Sequence, residues 1–120
     1  MTPKTQGRTS LRGRIKDLRK QLKLNQEETA HVLGVTVTTL SRWATQRTAE
    51  PDPAHQEKVE RLLAVSRQAA KVIRPAGLER WFKTPHPLLL DLRPVDLLRS
   101  AAGLEKIEGL LNSMEWGLPV

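Results

Sequence analysis

The stretch QEETAHVLGVTVTTLSRW, residues Gln26–Trp43, has the pattern of two short helices that meet at a sharp angle. Such a crossing needs a small residue where the helices touch, which Ala30 provides. It also needs a residue that tolerates positive φ in the turn, and Gly34 provides this four positions later. We therefore predict helices over Gln26–Leu33 and about Thr36–Thr45. The apolar residues spaced to tie both helices to a core are Val32, Leu33, Val35, Leu40 and Trp43.

One further helix is predicted on each side of this stretch. Before it, apolar residues recur at three- and four-residue spacing from Leu11 onwards, with Lys and Arg between them. After it, Asp52 followed by Pro53 is a typical helix start, because aspartate caps the first turn and proline suits the first helical position. This long helix should run to about Ile73, where Arg74-Pro75 stops it. Its predicted buried stripe is Val59, Leu62, Leu63, Ala70 and Ile73.

The C-terminal third is predicted to be helical as well. We expect a short helix around Leu78–Phe82 and two more at about Pro94–Arg99 and Leu104–Glu115. No segment alternates with a period of two, so the fold class is predicted to be all-α. Between these helices, three prolines within ten residues stiffen a connection that we expect to be a compact corner. The large apolar residues expected to pack there are Trp81, Phe82, Leu88, Leu89, Leu90, Leu92, Leu97 and Leu98.

Charge and composition narrow the class of protein. The 120 residues carry a net charge of +7 and no cysteine, so disulfides and thiolate metal sites are excluded and a cytoplasmic location is expected. Residues 1–50 hold ten Lys/Arg and four Asp/Glu, a balance of +6, whereas residues 51–120 have a balance of only +1. An excess of positive charge suits a polyanion such as DNA, because bound Lys and Arg displace condensed counterions.

The motif at Gln26–Trp43 resembles the Cro/repressor (Xre-type) helix-turn-helix, and the resemblance covers about residues 14–47. In that family the second helix of the motif enters the major groove and reads bases with its N-terminal half. The resemblance makes Val37, Thr38 and Arg42 the candidates for base contacts. The candidates for phosphate contacts are Gln26, Thr36 and Ser41.

Two structural alternatives accompany these assignments. Thr36, Thr38 and Ser41 are also typical of helix caps and solvated helix faces, with no role in DNA binding. The whole motif can also serve as a scaffold that has lost DNA binding, since its second helix carries few long polar side chains. The positive charge of residues 1–50 favours DNA binding over the scaffold.

The segment LERWFKTPHPLLLDLRPVDLLRS, residues 78–100, adds a second resemblance. Together with an amphipathic helix and the closing Glu-Trp-Gly at 115–117, it is similar to the C-terminal domain of Xre/MbcA/ParS-type antitoxins. With the helix-turn-helix in front, the resemblance spans about residues 14–120. It implies that this half binds and covers the active site of a RES-domain toxin, an enzyme that consumes NAD, and that the other half binds the operon's own promoter. The candidate toxin contacts are Met114, Trp116, Leu118 and Val120.

These observations define a domain layout and a set of partners. We expect a disordered basic arm at 1–10, a helix-turn-helix domain at 11–50, a connecting and dimerisation helix at 51–74, and a toxin-binding domain at 75–120. The expected partners are operator DNA, a cognate RES-domain toxin and a second copy of the chain. No enzymatic activity or metal is expected, since the three histidines lie on separate elements. No cofactor is expected without a glycine loop that could cradle a phosphate, and no membrane contact without an apolar run of membrane-spanning length. The alternative function is a free-standing Xre-type repressor whose second half dimerises or binds a small ligand.

Overall fold

The computed structural model describes residues 10–46 and 51–117, so the predicted disordered arm lies outside it except for Ser10. Regular structure within the described residues is α-helical, with one short 3-10 turn at Pro87–Leu89 and no strand. The all-α prediction is therefore confirmed. The described residues form the helices α1 (Leu11–Leu22), α2 (Gln26–Leu33), α3 (Val37–Thr45), α4 (Pro53–Val72), α5 (Pro75–Lys83), α6 (Pro94–Leu97) and α7 (Ala101–Glu115).

Helix α2 begins and ends at the predicted residues. The Asn25 side chain accepts a hydrogen bond from the Glu28 N–H at 2.7 Å, and the Glu28 carboxylate accepts one from the Asn25 N–H at 2.8 Å. This reciprocal capping satisfies backbone groups that would otherwise be unpaired at the helix start. At the other end, Gly34 has a φ of 73°, in the left-handed region that the predicted turn requires.

Helix α3 begins one residue later than predicted, because Thr36 is its cap and not its first residue. The Thr36 hydroxyl accepts a hydrogen bond from the Thr39 N–H at 3.0 Å. At the far end, the Arg12 guanidinium donates to the Trp43 carbonyl at 2.7 Å and also to the Gln46 carbonyl. Carbonyls at a helix C-terminus lack hydrogen-bond partners within the helix. Arg12 therefore provides these carbonyls with donors and also ties α3 to α1.

Helix α4 lies at the centre of the molecule, packed mainly against α1 and α7 and also against α2 and α5. Because it has partners on more than one side, it buries more than a single stripe. The prediction was wrong for Ala70, which is exposed, and Ile73 is half-buried just beyond the helix end. The residues that α4 buries are Val59, Leu62, Leu63, Val65, Ser66 and Ala69.

The buried side chains of both halves form one continuous hydrophobic cluster. Leu18 of α1, Leu62 of α4, Phe82 of α5 and Ile107 of α7 are all fully buried within it. Burying one such side chain contributes about 1.5–3 kcal/mol. The helix-turn-helix and the C-terminal helices are therefore held together by a shared core.

The last two helices have different bounds from those predicted. Helix α6 ends at Leu97, short of Arg99, and α7 begins at Ala101, ahead of Leu104. The early start of α7 follows from Ser100, whose hydroxyl accepts a hydrogen bond from the Gly103 N–H at 2.9 Å. A serine cap begins a helix irrespective of where its first large apolar residue lies.

Candidate functional site

The N-terminal half of α3 presents the predicted base-reading residues to solvent. Val37 is 36% exposed, and Thr38 and Arg42 are exposed as well. Thr38 and Arg42 are four residues apart and so share one face of the helix. The opposite face carries Leu40 and Trp43, which are buried in the core. The fold therefore leaves this end of α3 accessible to a large partner.

The three predicted phosphate contacts have different surroundings. Gln26 is exposed at the first position of α2, where backbone N–H groups favour an anion. Thr36 is exposed, but its hydroxyl already caps α3. Ser41 is half-buried. Of the three, Gln26 has the setting best suited to a phosphate, and all three assignments remain predictions.

Basic residues of α1 lie beside Gln26, which the sequence did not indicate. Lys16 and Arg19 line a groove together with Gln26, and Leu40 and Trp43 of α3 line the same groove. Lys16 is exposed on α1. The positive charge of residues 1–50 indicated a polyanion, but only the packing of α1 against the motif places these cations next to it.

Two of the predicted toxin contacts lie at the C-terminal end of α7, and their surroundings differ. Trp116 caps the helix and is 74% exposed, although its backbone N–H still donates to the Asn112 carbonyl at 3.1 Å. Met114 is half-buried and packs against the core, so it supports the helix as well as bordering the surface. Gly117 then takes a φ of 74° and turns the chain away from helical geometry. Leu118 and Val120 lie outside the described residues.

The segment between α5 and α6 carries apolar groups that the sequence analysis assigned to packing. That prediction holds for Leu89 in this segment, which is buried. It also holds at the end of α6, where Leu98 is buried and Leu97 is half-buried against the core. It was wrong for Leu88, Leu90 and Leu92, which are 59%, 86% and 46% exposed. A run of leucines is typical of a buried segment. Hydrophobicity alone does not show which of these side chains a turn leaves exposed to solvent.

A polar cluster joins the helix-turn-helix to the C-terminal helices. The Lys83 ammonium of α5 donates to the Lys23 carbonyl at 2.7 Å, and it lies 3.3 Å from the Glu28 carboxylate and 3.1 Å from that of Glu79. The pKa of Glu28 is lowered by the Asn25 N–H bond and, in addition, by Lys83. Lys83 thus binds the end of α1 and the start of α2 from the other half of the molecule.

A second part of this cluster lies on α6. The Arg93 guanidinium donates two hydrogen bonds to the Asp96 carboxylate, at 2.9 and 3.0 Å. This pairing lowers the pKa of Asp96, and His31 of α2 lies 3.9 Å from the same carboxylate. The two parts of the cluster place charged groups of α5 and α6 along α2.

Two kinds of site are not found in the part of the chain that the structure describes. Residues 10–46 and 51–117 contain no group of three His, Cys, Asp or Glu side chains that could hold a metal ion. None of the helices described has the length and apolar character needed to cross a membrane. The candidate sites are the exposed surfaces at α3, at the α5–α6 loop and at the end of α7, which carry the exposed large hydrophobic side chains.

Comparison with known proteins finds two family models that match successive parts of the chain. The helix-turn-helix family model matches residues 15–69. A second model, the antitoxin Xre/MbcA/ParS C-terminal toxin-binding domain, matches residues 68–117. No curated protein sequence matches the chain.

A solved structure has the same fold over nearly the whole chain. It is the crystal structure of the M. tuberculosis MbcT–MbcA toxin–antitoxin complex, one chain of which superposes with a TM-score of 0.72 at 21% identity. The match covers 93% of this chain and 99% of that one. The two family models together span residues 15–117, and with the structural match they identify this chain as an Xre/MbcA-type antitoxin, with a helix-turn-helix DNA-binding domain in front of its toxin-binding domain.

Proposed function

We propose that this antitoxin inhibits a RES-domain toxin, an enzyme that consumes NAD, and that it represses its own promoter as a homodimer. The class of toxin is inferred from the resemblance of residues 78–100 and 115–117 to the antitoxin family. The toxin-binding domain at residues 68–117 supplies the surface for this contact.

The observation that carries the proposal is Trp116, a large aromatic side chain left 74% exposed at the end of a well-packed helix. Tryptophan is enriched among the residues that dominate binding energy at protein interfaces. Helix α7 gives it a rigid base, since Leu110 and Leu111 one to two turns earlier are buried. Such an anchor enters a cleft at small entropic cost because its position is already set. In this proposal the end of the chain covers the toxin's active site.

Promoter binding is supported by the exposed end of α3 and the cations beside it. Val37 offers an apolar contact for a thymine methyl group, and Arg42 can donate to guanine or to a phosphate. One such helix covers only a half-site, so specific binding calls for a two-fold dimer. Gln26 and Lys16 flank the same region and suit the phosphate backbone.

The test is to co-express the chain with a candidate cognate RES-domain enzyme, purify the complex and measure NAD consumption. We expect the two proteins to co-purify and NAD consumption to stop at saturating antitoxin. Deletion of residues 116–120 should restore NAD consumption while DNA binding and folding stay intact. If the full-length chain binds the promoter but no RES-domain enzyme, the proposed class of toxin partner is wrong.

A further inference from the structure

The turn between α5 and α6 exposes three leucines within five residues. Leu88, Leu90 and Leu92 are three of the five large hydrophobic side chains that are exposed in residues 10–46 and 51–117, the others being Val37 and Trp116. Single exposed leucines are common on protein surfaces, but a cluster of them marks an interaction site. We name residues 86–92 the leucine loop.

The leucine loop is closed by its own backbone. The His86 N–H donates to the Leu92 carbonyl at 3.1 Å, and the His86 carbonyl accepts from Leu89 at 2.9 Å and from Asp91 at 3.0 Å. The His86 imidazole also accepts from the Leu88 N–H at 3.1 Å. Leu89 is buried and anchors the loop to the core. The exposed leucines are therefore held on a preformed turn, which lowers the entropy lost when a partner binds.

The tip of this loop has an unfavourable backbone conformation. Leu90 has a φ of 58° and Asp91 a φ of 61°, in the left-handed region that side chains with a Cβ rarely adopt. Leu90 is also the most exposed of the three leucines. In the free chain, therefore, no burial of its side chain offsets the cost of the left-handed backbone conformation. Such strain is typical of positions whose geometry serves a ligand or a partner.

We propose that Leu88, Leu90 and Leu92 form an apolar knob that docks into an apolar pocket on the toxin, in addition to the contact made by Trp116. The inference rests on the proposed function, and it places the knob within the matched toxin-binding domain at residues 68–117. The alternative occupant is a second copy of this chain. Three leucine side chains fall well short of the ~800 Å² per partner that a stable dimer buries, so the knob suits an anchor within a larger heterologous contact.

The experiment compares three substitutions of Leu90 in the full-length chain. The Kd for the cognate RES-domain enzyme is measured by titration calorimetry. Leu90→Gly removes the side chain and relieves the left-handed backbone, Leu90→Asn tolerates that backbone but is polar, and Leu90→Met keeps an apolar side chain. Thermal unfolding of each variant is measured alongside.

We expect Leu90→Gly and Leu90→Asn to raise the Kd by about tenfold or more, as loss of an interface anchor does. Leu90→Gly should at the same time raise the unfolding temperature, so that weaker binding cannot be attributed to a damaged fold. Leu90→Met should bind within about threefold of the wild type.

The inference is overturned if the Gly and Asn variants bind within about twofold of the wild type while Trp116→Ala binds weakly. That result leaves the proposed function intact. It is overturned as well if Leu90→Gly abolishes self-association in sedimentation but leaves the toxin Kd unchanged, since the knob would then join two copies of the chain. Failure of the wild type to bind the enzyme removes the proposed function and this inference together.

Discussion

The Cα of Gly103 in α7 lies against the main chain of Leu97 at the end of α6. A Cβ added to Gly103 would lie 2.1 Å from the Leu97 carbonyl oxygen and 2.8 Å from its carbonyl carbon. Both atoms belong to the backbone, which cannot rotate away as a side chain can. The absence of a side chain at residue 103 is therefore what allows α6 and α7 to pack this closely.

Gly103→Ala is expected to destabilise the protein by about 1–3 kcal/mol, because one helix must move away from the other to admit the methyl group. Gly109→Ala in the same helix is the matched control. Nothing lies within 4 Å of a Cβ at Gly109, so alanine there should stabilise the fold by about 0.5–1 kcal/mol through helix propensity. Urea unfolding of the two variants measures both values, and equal effects of the two changes would contradict the packing described here.

Glu28 is predicted to make stability depend on pH in the acidic range. Its pKa in the folded state lies below the ordinary value of 4.5, owing first to the Asn25 N–H and also to Lys83. The unfolded chain therefore binds a proton more readily than the folded one. Its contribution to stability is present above pH 4.5 and is lost as the pH falls through the lower, folded-state pKa.

The variant Glu28→Gln tests this pH dependence, because glutamine can still accept the Asn25 hydrogen bond but carries no charge. The free energy of unfolding should change less between neutral pH and about pH 3.5 in this variant than in the wild type. Glu27→Gln removes the same charge from an exposed side chain one residue away and should have the smaller effect. An unchanged pH profile in Glu28→Gln would show that Lys83 and Asn25 do not act on this carboxylate.

Arg42→Ala is predicted to weaken binding to the upstream DNA without unfolding the protein, since the side chain is exposed on α3. If Arg42 contacts a phosphate, the slope of log K against log salt should fall by about 0.9. If it contacts guanine, discrimination against random duplex should fall by about 1–3 kcal/mol. Arg80→Ala on α5 removes the same charge from the other half of the molecule. Fluorescence anisotropy over a salt series distinguishes these cases, and equal losses in the two variants would argue against a contact by Arg42.

Trp116→Ala is expected to separate toxin binding from stability. Because the indole is 74% exposed, the free energy of unfolding should change by no more than about 0.5 kcal/mol. Binding to the toxin should weaken by about 2 kcal/mol or more if the indole is a central anchor. Met114→Ala should instead lower the stability measurably, since that side chain packs against the core. Calorimetric titration and urea unfolding on the same samples give both quantities. Unaltered toxin binding by Trp116→Ala would exclude Trp116 as the main contact.

Most of the helices could be predicted from residues that interact within one or two turns. The cap at Asp52, the turn at Gly34 and the apolar spacing of α1 and α2 all act over a few residues, and the structure has them where the pattern placed them. The predicted start of α7 is late because it follows the first leucine of the helix, whereas the Ser100 cap is the shorter-range signal and begins the helix earlier. The exposed face of α3 followed from the same local pattern, which buries Leu40 and Trp43 on the opposite side.

Tertiary packing decided the features that depend on partners far away in the chain. Ala69 is buried and Ala70 exposed because α1 and α7 cover particular faces of α4, and both alanines have the same local chemistry. Lys83 meets Glu28 only because α5 lies beside α2. The leucine loop is the clearest case, since Leu89 is buried and its neighbours are exposed on a turn with no helical period. Capping and periodicity act between near neighbours in the chain, whereas burial depends on which distant segment covers a residue.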